Sequence, residues 1–169
     1  MIAIRPAEPR DLDFLVTLLN DEEVEPFLAG RRAKDRDALA EEVARTADDA
    51  DAFGRLVIEV DGAPAGTMAY ERKNERSRIA HLGGLAVAAG FRGRGVADEA
   101  ARLLQRHLLL ERGYHRLELE CYGFNERAIR HAERSGFVRE GVKRRAYLRH
   151  GDWVDGVMFA LLREELEDS

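Results

Sequence analysis

One stretch constrains this chain more than any other: Leu85-Ala86-Val87-Ala88-Ala89-Gly90-Phe91-Arg92-Gly93-Arg94-Gly95-Val96-Ala97. An apolar segment of strand character passes through glycines and arginines into a long helical pattern, and that sequence of events builds an anion site. The N–H groups of a first helical turn have no intrahelical partner and sit at the positive end of the helix dipole. Glycines let a bulky anion approach the backbone, and Arg92 and Arg94 add charge-assisted hydrogen bonds. Two common nucleotide motifs fail here. The dinucleotide fingerprint, counted from Gly93 and Gly95, needs Gly or Ala where Asp98 stands, and no Gly-Lys pair exists to make a Walker loop.

The flanking pattern describes an α/β domain. Ile2 to Arg5 reads as a first strand, Pro9 and Asp11 as a helix start, and Leu12, Leu15, Val16 and Leu19 share one helical face. A second helix spans Asp35 to Ala50, with Leu39, Val43 and Ala47 inward and an alanine-rich face suited to close packing. After Gly54 the period changes to two. Leu56, Ile58 and Val60 form a strand that turns at Asp61-Gly62, followed by strands at 65–71 and 79–87. Gly83 and Gly84 mark a bulge or a close backbone approach in the last of these. A third helix runs from about Gly95 to Arg112, with Val96, Ala100, Leu103, Leu104 and Leu108 inward, and stops at Gly113. Leu117, Leu119 and Cys121 alternate with Glu118 and Glu120, giving a fifth strand with one apolar and one acidic face. Asn125 caps a fourth helix ending near Gly136, and strands at 138–148 and 153–162 close a hairpin at His150, Gly151 and Asp152.

Composition bounds the function. At 169 residues, 45% hydrophobic and 35% charged, residues 1–169 are expected to form a single globular domain that buries about 70% of its unfolded surface. A net charge of -5 argues against nonspecific nucleic-acid binding, which draws its affinity from a basic surface releasing counterions. Lys143, Arg144 and Arg145 read as a solvated strand edge. The single cysteine, Cys121, has no partner for an internal disulfide, and Met1 leads straight into Ile2-Ala3-Ile4-Arg5 without a charged-then-apolar leader. No apolar run nears the roughly 18 residues of a membrane span. The expectation is a cytoplasmic protein without a membrane partner. His81, His107, His115, His131 and His150 lack metal-ligand spacing, so no metal is expected.

Arg92, Gly95 and Ala97 match the Gln/Arg-x-x-Gly-x-Gly/Ala loop of the GNAT superfamily, the acetyl-coenzyme A-dependent N-acetyltransferases, which the chain resembles. About 30 residues on, Asn125, Ala128, Gly136 and Phe137 resemble that family's Asn-x-x-Ala…Gly-Phe segment. Gly151, Asp152, Asp155 and Met158 are similar to the tail of members acting on protein N-termini or small amines. The resemblance implies a mixed, mostly antiparallel sheet of about seven strands flanked by about four helices. It implies acetyl-coenzyme A as cosubstrate, held by Leu85, Ala86, Val87, Arg92, Gly93, Arg94, Gly95, Val96, Ala97 and Asn125. The strand ending Leu85-Ala86-Val87 would bulge and splay from the fifth strand, with an N–H near Val87 facing the acetyl oxygen.

By the same resemblance, a general base stands at His81, where many members have Glu. Glu71, Glu118 and Glu120 are alternatives on neighbouring strands. The usual acid, a tyrosine seven residues after the Asn, is replaced by Ala132, with His131 beside it and Tyr122 or Tyr147 as substitute hydroxyls. The acceptor pocket is expected between the first two helices and the last hairpin. Asp21, Glu22, Glu23 and Glu25, in the connection between those helices, read as a plain solvated loop or as acids that attract a cationic amine, and Phe27 and Trp153 as core or lining. The acceptor is a protein N-terminal amine or a small amine. A non-catalytic acyl-coenzyme A sensor or interaction module is the competing reading, and a homodimer through the edge of the last hairpin completes the set of expectations.

Overall fold

The computed structural model describes residues 1–24 and 35–167. Seven strands form one sheet in the order β1-β2-β3-β4-β5-β7-β6: β1 (Ile2–Pro6), β2 (Phe53–Val60), β3 (Ala63–Asn74), β4 (Ile79–Val87), β5 (Arg116–Tyr122), β6 (Val138–Arg149) and β7 (Asp152–Leu162). Every neighbouring pair is antiparallel except β4 and β5, so the sheet is mixed and mostly antiparallel. The α-helices are α1 (Leu12–Leu19), α2 (Arg36–Asp48), α3 (Val96–Arg106), α4 (Glu126–Arg134) and a short α5 (Arg163–Glu167), the last not foreseen from the sequence. Both tight turns adopt the backbone their residues favour. Asp61-Gly62 and His150-Gly151 have positive φ at both positions, as a two-residue hairpin loop demands.

The two faces of the sheet are covered unequally. On one face α3 and α4 bury a continuous core with Ile58, Met68, Tyr70, Leu104, Leu108, Leu117, Phe137 and Phe159. On the other, α1 and α2 cover β1 to β4 through Leu15, Leu19, Leu39, Val43 and Val57. Helices on both faces explain why Val57 is fully buried along with its neighbours Leu56 and Ile58, whose side chains point the other way. In α2 it is Thr46, not Ala47, that turns inward, and Ala44 and Ala47 are exposed, so the alanine-rich face is not the packed one. The Thr46 hydroxyl donates to the Glu42 carbonyl and accepts from the Arg55 backbone N–H, which stitches the helix to β2. After Arg106 the third helix widens into a π-turn over His107–Glu111 and stops at Gly113, φ +74°. Gln105 packs inward, donating to the Ser135 carbonyl, while Leu103 is only half-buried.

Candidate active site

The centre of the molecule is a sheet that comes apart. β4 and β5 are paired over three positions only, Ile79 with Arg116, Ala80 with Leu117 and His81 with Glu118. Beyond them β4 continues along β3 and β5 along β7, and a gap opens between the two parallel strands. β4 is also bulged. Thr67 faces Ala86 and Ala69 faces Gly83, so Met68 alone spans Gly84 and Leu85, and Gly84 takes φ +64°. The Ala88 N–H bonds the Ala65 carbonyl at 2.8 Å. The next pair, Gly66 with Val87, is therefore the kind whose N–H and C=O point away from the neighbouring strand. For Val87 that direction is the gap.

From Val87 the chain passes through a short 3-10 turn (Ala89–Phe91) to Gly93 and Gly95, both left-handed at φ +76° and +72°. A Cβ placed on either would meet nothing within 4 Å, so the loop's concave side is open to a ligand. The starts of α2 and α4 are closed by a side chain: Asp35 accepts from Ala38 N–H at 2.8 Å and Asn125 from Ala128 N–H at 3.1 Å. α3 starts at Gly95 with no side-chain cap, and its first turn, with Val96 and Ala97, keeps its donors for something else. Arg92 is turned back into the fold, donating through Nε to the Val87 carbonyl at 2.9 Å and pairing with Glu23 at 2.6 Å. Arg94 lies over the Phe91 ring. The residues expected to hold coenzyme thus fall together along one edge of the gap, with Asn125 on the far side at the head of α4.

On the face opposite α3, His81 lines a cavity of about 310 Å³ with Lys73, Arg116, Glu118, Glu120, Glu140, Lys143 and Met158. Burial pushes the His81 imidazole below its ordinary 6.5, and Lys73 adds to the effect against Glu118, Glu120 and Glu71. The ring is therefore neutral at pH 7 and able to accept a proton. The alternative carboxylates are occupied. Although burial works the other way, Arg45 and Lys73 hold Glu71 below the usual carboxylate range. Glu118 pairs with Arg116 at 2.8 Å, and Glu120 accepts from the Tyr147 hydroxyl at 2.7 Å and from Lys143 at 3.2 Å. Tyr147 is held up by that bond to Glu120 and by burial, so it stays protonated. Gly156 makes room for the pair, since a Cβ there would lie 2.1 Å from Glu120 Oε1.

Several expectations meet a different structure. Ala132 is 1% exposed within the α3–α4 core and offers no hydroxyl to act as an acid. His131 is largely covered, bonding Asp98 of the first turn of α3 at 2.8 Å. Tyr122 stacks on Phe124 and meets Tyr147 edge-on, as part of an aromatic cluster. The cavity takes Glu140, Lys143, Met158 and Phe159 from the last hairpin, as expected, but no residue of α1 or α2 lines it, and it lies across β3 to β7. Trp153 is 55% exposed opposite Leu148, so it is neither core nor lining. Asp21 accepts from the Glu23 N–H and Glu23 holds Arg92, while Glu25 and Phe27 lie outside the described residues. Lys73 and Arg116 were missed as lining residues. Their signal was period-two spacing with Glu71 and Glu118, readable only once the strand registers are known. Among the described residues no three His, Cys, Asp or Glu side chains group to hold a metal, and no helix is long and apolar enough to cross a membrane.

Known proteins agree with this geometry. The family model for the acetyltransferase (GNAT) domain matches residues 2–138. A curated relative, the SPbeta prophage-derived uncharacterized N-acetyltransferase YokL of Bacillus subtilis (strain 168), is 37% identical over 83 residues, 49% of this chain and 47% of that protein. The match thus spans about half of the relative's length. The spermidine N-acetyltransferase from Vibrio cholerae in complex with CoA and spermine superposes with a TM-score of 0.85 at 22% identity, covering 98% of each chain. Mycobacterium smegmatis RimJ in complex with CoA-disulfide gives 0.83 at 23%, over 98% of this chain and 83% of that one. At these identities the two structures speak for the fold. With residues 2–138 of the chain matched to the family domain and the separated β4 and β5 in place, the chain belongs to the GNAT acetyltransferases, enzymes whose acetyl donor is acetyl-coenzyme A.

Proposed function

We propose that this protein transfers the acetyl group of acetyl-coenzyme A directly to a primary amine, both substrates being bound together in a ternary complex. The observation that carries the reading is one continuous feature. A bulged strand whose outward N–H faces a gap leads through two open, left-handed glycines into a helix without a side-chain cap. Gly93, Gly95, Val96 and Ala97 present backbone N–H groups to the pyrophosphate, and Leu85, Ala86 and Val87 lie along the pantetheine arm. Arg94 adds charge at the loop, and Asn125 borders the arm from the head of α4. The Val87 N–H polarises the thioester carbonyl as charge develops on its oxygen. His81, neutral at working pH, takes the proton from the attacking nitrogen directly or through water. The new C–N bond forms as the C–S bond breaks, and the thiolate leaves without a tyrosine at position 132.

The cavity beside His81 supports a class of acceptor. Its three cations, Lys73, Arg116 and Lys143, balance its three carboxylates, Glu118, Glu120 and Glu140. Such walls suit an amine carrying one charge, a small molecule or a protein N-terminus, better than a polyamine. Cys121, its thiol pushed up to about 11 by burial and Glu120, suits the reducing cytoplasm. β6 has one unpaired edge and exposes Val138, Val142 and Leu148, which supports pairing of two copies there.

Calorimetric titration with acetyl-coenzyme A, against free coenzyme A and ATP, tests the donor. Thiol release over a panel of monoamines, amino acids, peptides and polyamines tests the acceptor. Micromolar coenzyme-selective binding with turnover on singly charged amines is the expected result. Tight coenzyme binding with no turnover on any amine would favour an acyl-coenzyme A sensor, a reading for which the buried Ala132 speaks. No binding at millimolar coenzyme would end both.

A further inference from the structure

Arg55 stands near the start of β2 with only 3% of its surface exposed. A buried guanidinium is costly unless its donors are matched, and this one is anchored from two sides. Its Nε donates to Glu42 Oε2 of α2 at 2.8 Å, and Nη1 donates to the Thr67 hydroxyl of β3 at 3.3 Å. Across the sheet Arg55 faces Ala69, and Ala69 faces Gly83, so the row beside it carries a methyl group and then no side chain. The guanidinium reaches the β4 bulge. A Cβ at Gly84 would lie 3.2 Å from Nη1, 3.7 Å from Nη2 and 3.9 Å from Cζ, so the cation fills the space this glycine leaves open at φ +64°. A pair with Glu42 alone would not need the bulge as its third wall.

We infer that Arg55 is a positioning residue for acetyl transfer. Tied to Glu42 and Thr67, its guanidinium holds the bulge at Gly84 in the geometry that turns the Val87 amide toward the thioester. This rests on the coenzyme site proposed above. Charge and shape both matter, because an apolar side chain of similar length fills part of the space but leaves the backbone free to relax into a regular ladder.

The variants are Arg55→Met, Arg55→Lys and Glu42→Gln in the full chain. The readouts are kcat at saturating acetyl-coenzyme A, KM for the amine, thermal unfolding, and the amide NMR shifts of Gly84 to Val87 without ligand. Arg55→Met is expected to stay folded, lose at least about tenfold in kcat with the amine KM unchanged, and move those amides while the β6 amides stay in place. Arg55→Lys is expected to recover part of both effects, keeping charge without the planar fork. Unmoved bulge amides, or a loss of kcat that only tracks the folded fraction, would overturn the assignment. If Arg55→Met does not fold, Glu42→Gln decides by the same two readouts, because it removes the carboxylate charge opposite Nε while keeping the guanidinium. If the wild-type protein neither binds coenzyme nor turns over, the proposed function fails, while the ligand-free amide shifts still decide whether Arg55 sets the bulge.

Discussion

The two halves of β4 are built for opposite purposes. Up to His81 the strand is hydrogen-bonded on both sides, between β3 and β5, and its side chains are held in fixed places. From Leu82 onward it has β3 alone, carries the bulge at Gly84 and Leu85, and runs into a loop whose glycines expose backbone. The first half offers one titratable side chain in a charged cavity, and the second offers N–H groups to a gap. On the proposed function a single strand separates chemistry from donor binding, because satisfied backbone leaves side chains as the reactive groups and unsatisfied backbone is itself the binding group.

If that division holds, changes in the second half should strike coenzyme affinity and changes in the first should strike turnover. The largest effect is expected from Gly95→Val. A β-branched residue at φ +72° is strained and its side chain fills the open face of the loop, so coenzyme affinity should fall on the order of a hundredfold or more, as for two lost charge-assisted hydrogen bonds. Calorimetry reads the loss and circular dichroism checks the fold; unchanged affinity would break the comparison at its binding half. Next is His81→Ala, expected to lower kcat on the order of a hundredfold with coenzyme affinity unchanged and the acid limb of the pH profile flattened. A fully active variant would hand the proton to water or to a carboxylate.

Smaller effects sharpen the boundary. Asn125→Ala removes the cap of α4 and should cost about 1 kcal/mol, a fall in Tm of roughly 2 to 4 °C for a chain of this size. A larger loss in coenzyme affinity than in stability would show that Asn125 also binds the arm. Lys73→Gln should give the smallest change. Lys73 helps to keep the His81 pKa below 6.5, so removing it raises that pKa and moves the acid limb of kcat/KM to higher pH. Activity near pH 6 would fall while activity near pH 8 stays, and an unmoved limb would remove His81 from the role of base.

Much of the site was legible because it rests on local rules. Gly93 and Gly95 announced a loop with open backbone, Gly83 and Gly84 announced a bulge or close approach, and Asn125 announced a cap, each from residue type and place in the pattern. Cys121, Leu119 and Leu117 were placed correctly on the apolar face of β5 by alternation alone. Trp153 and Ala47 were misplaced for one reason. Apolar character predicts burial only when a layer lies above the residue, and neither the end of the last hairpin nor that side of α2 has one.

Periodicity, caps and turn residues act over a few positions, so the order and kind of the elements up to the last strand, the glycine-rich loop and the resemblance to one family could be read from the residues alone. Tertiary structure alone decided the rest. It set how far β4 and β5 run together, which put His81 among Lys73, Glu118 and Glu120, closed Ala132 into the core, and brought Arg55 from β2 to the back of Gly84. Those facts depend on register between strands distant in the chain, and register is settled by burying both faces of a sheet at once.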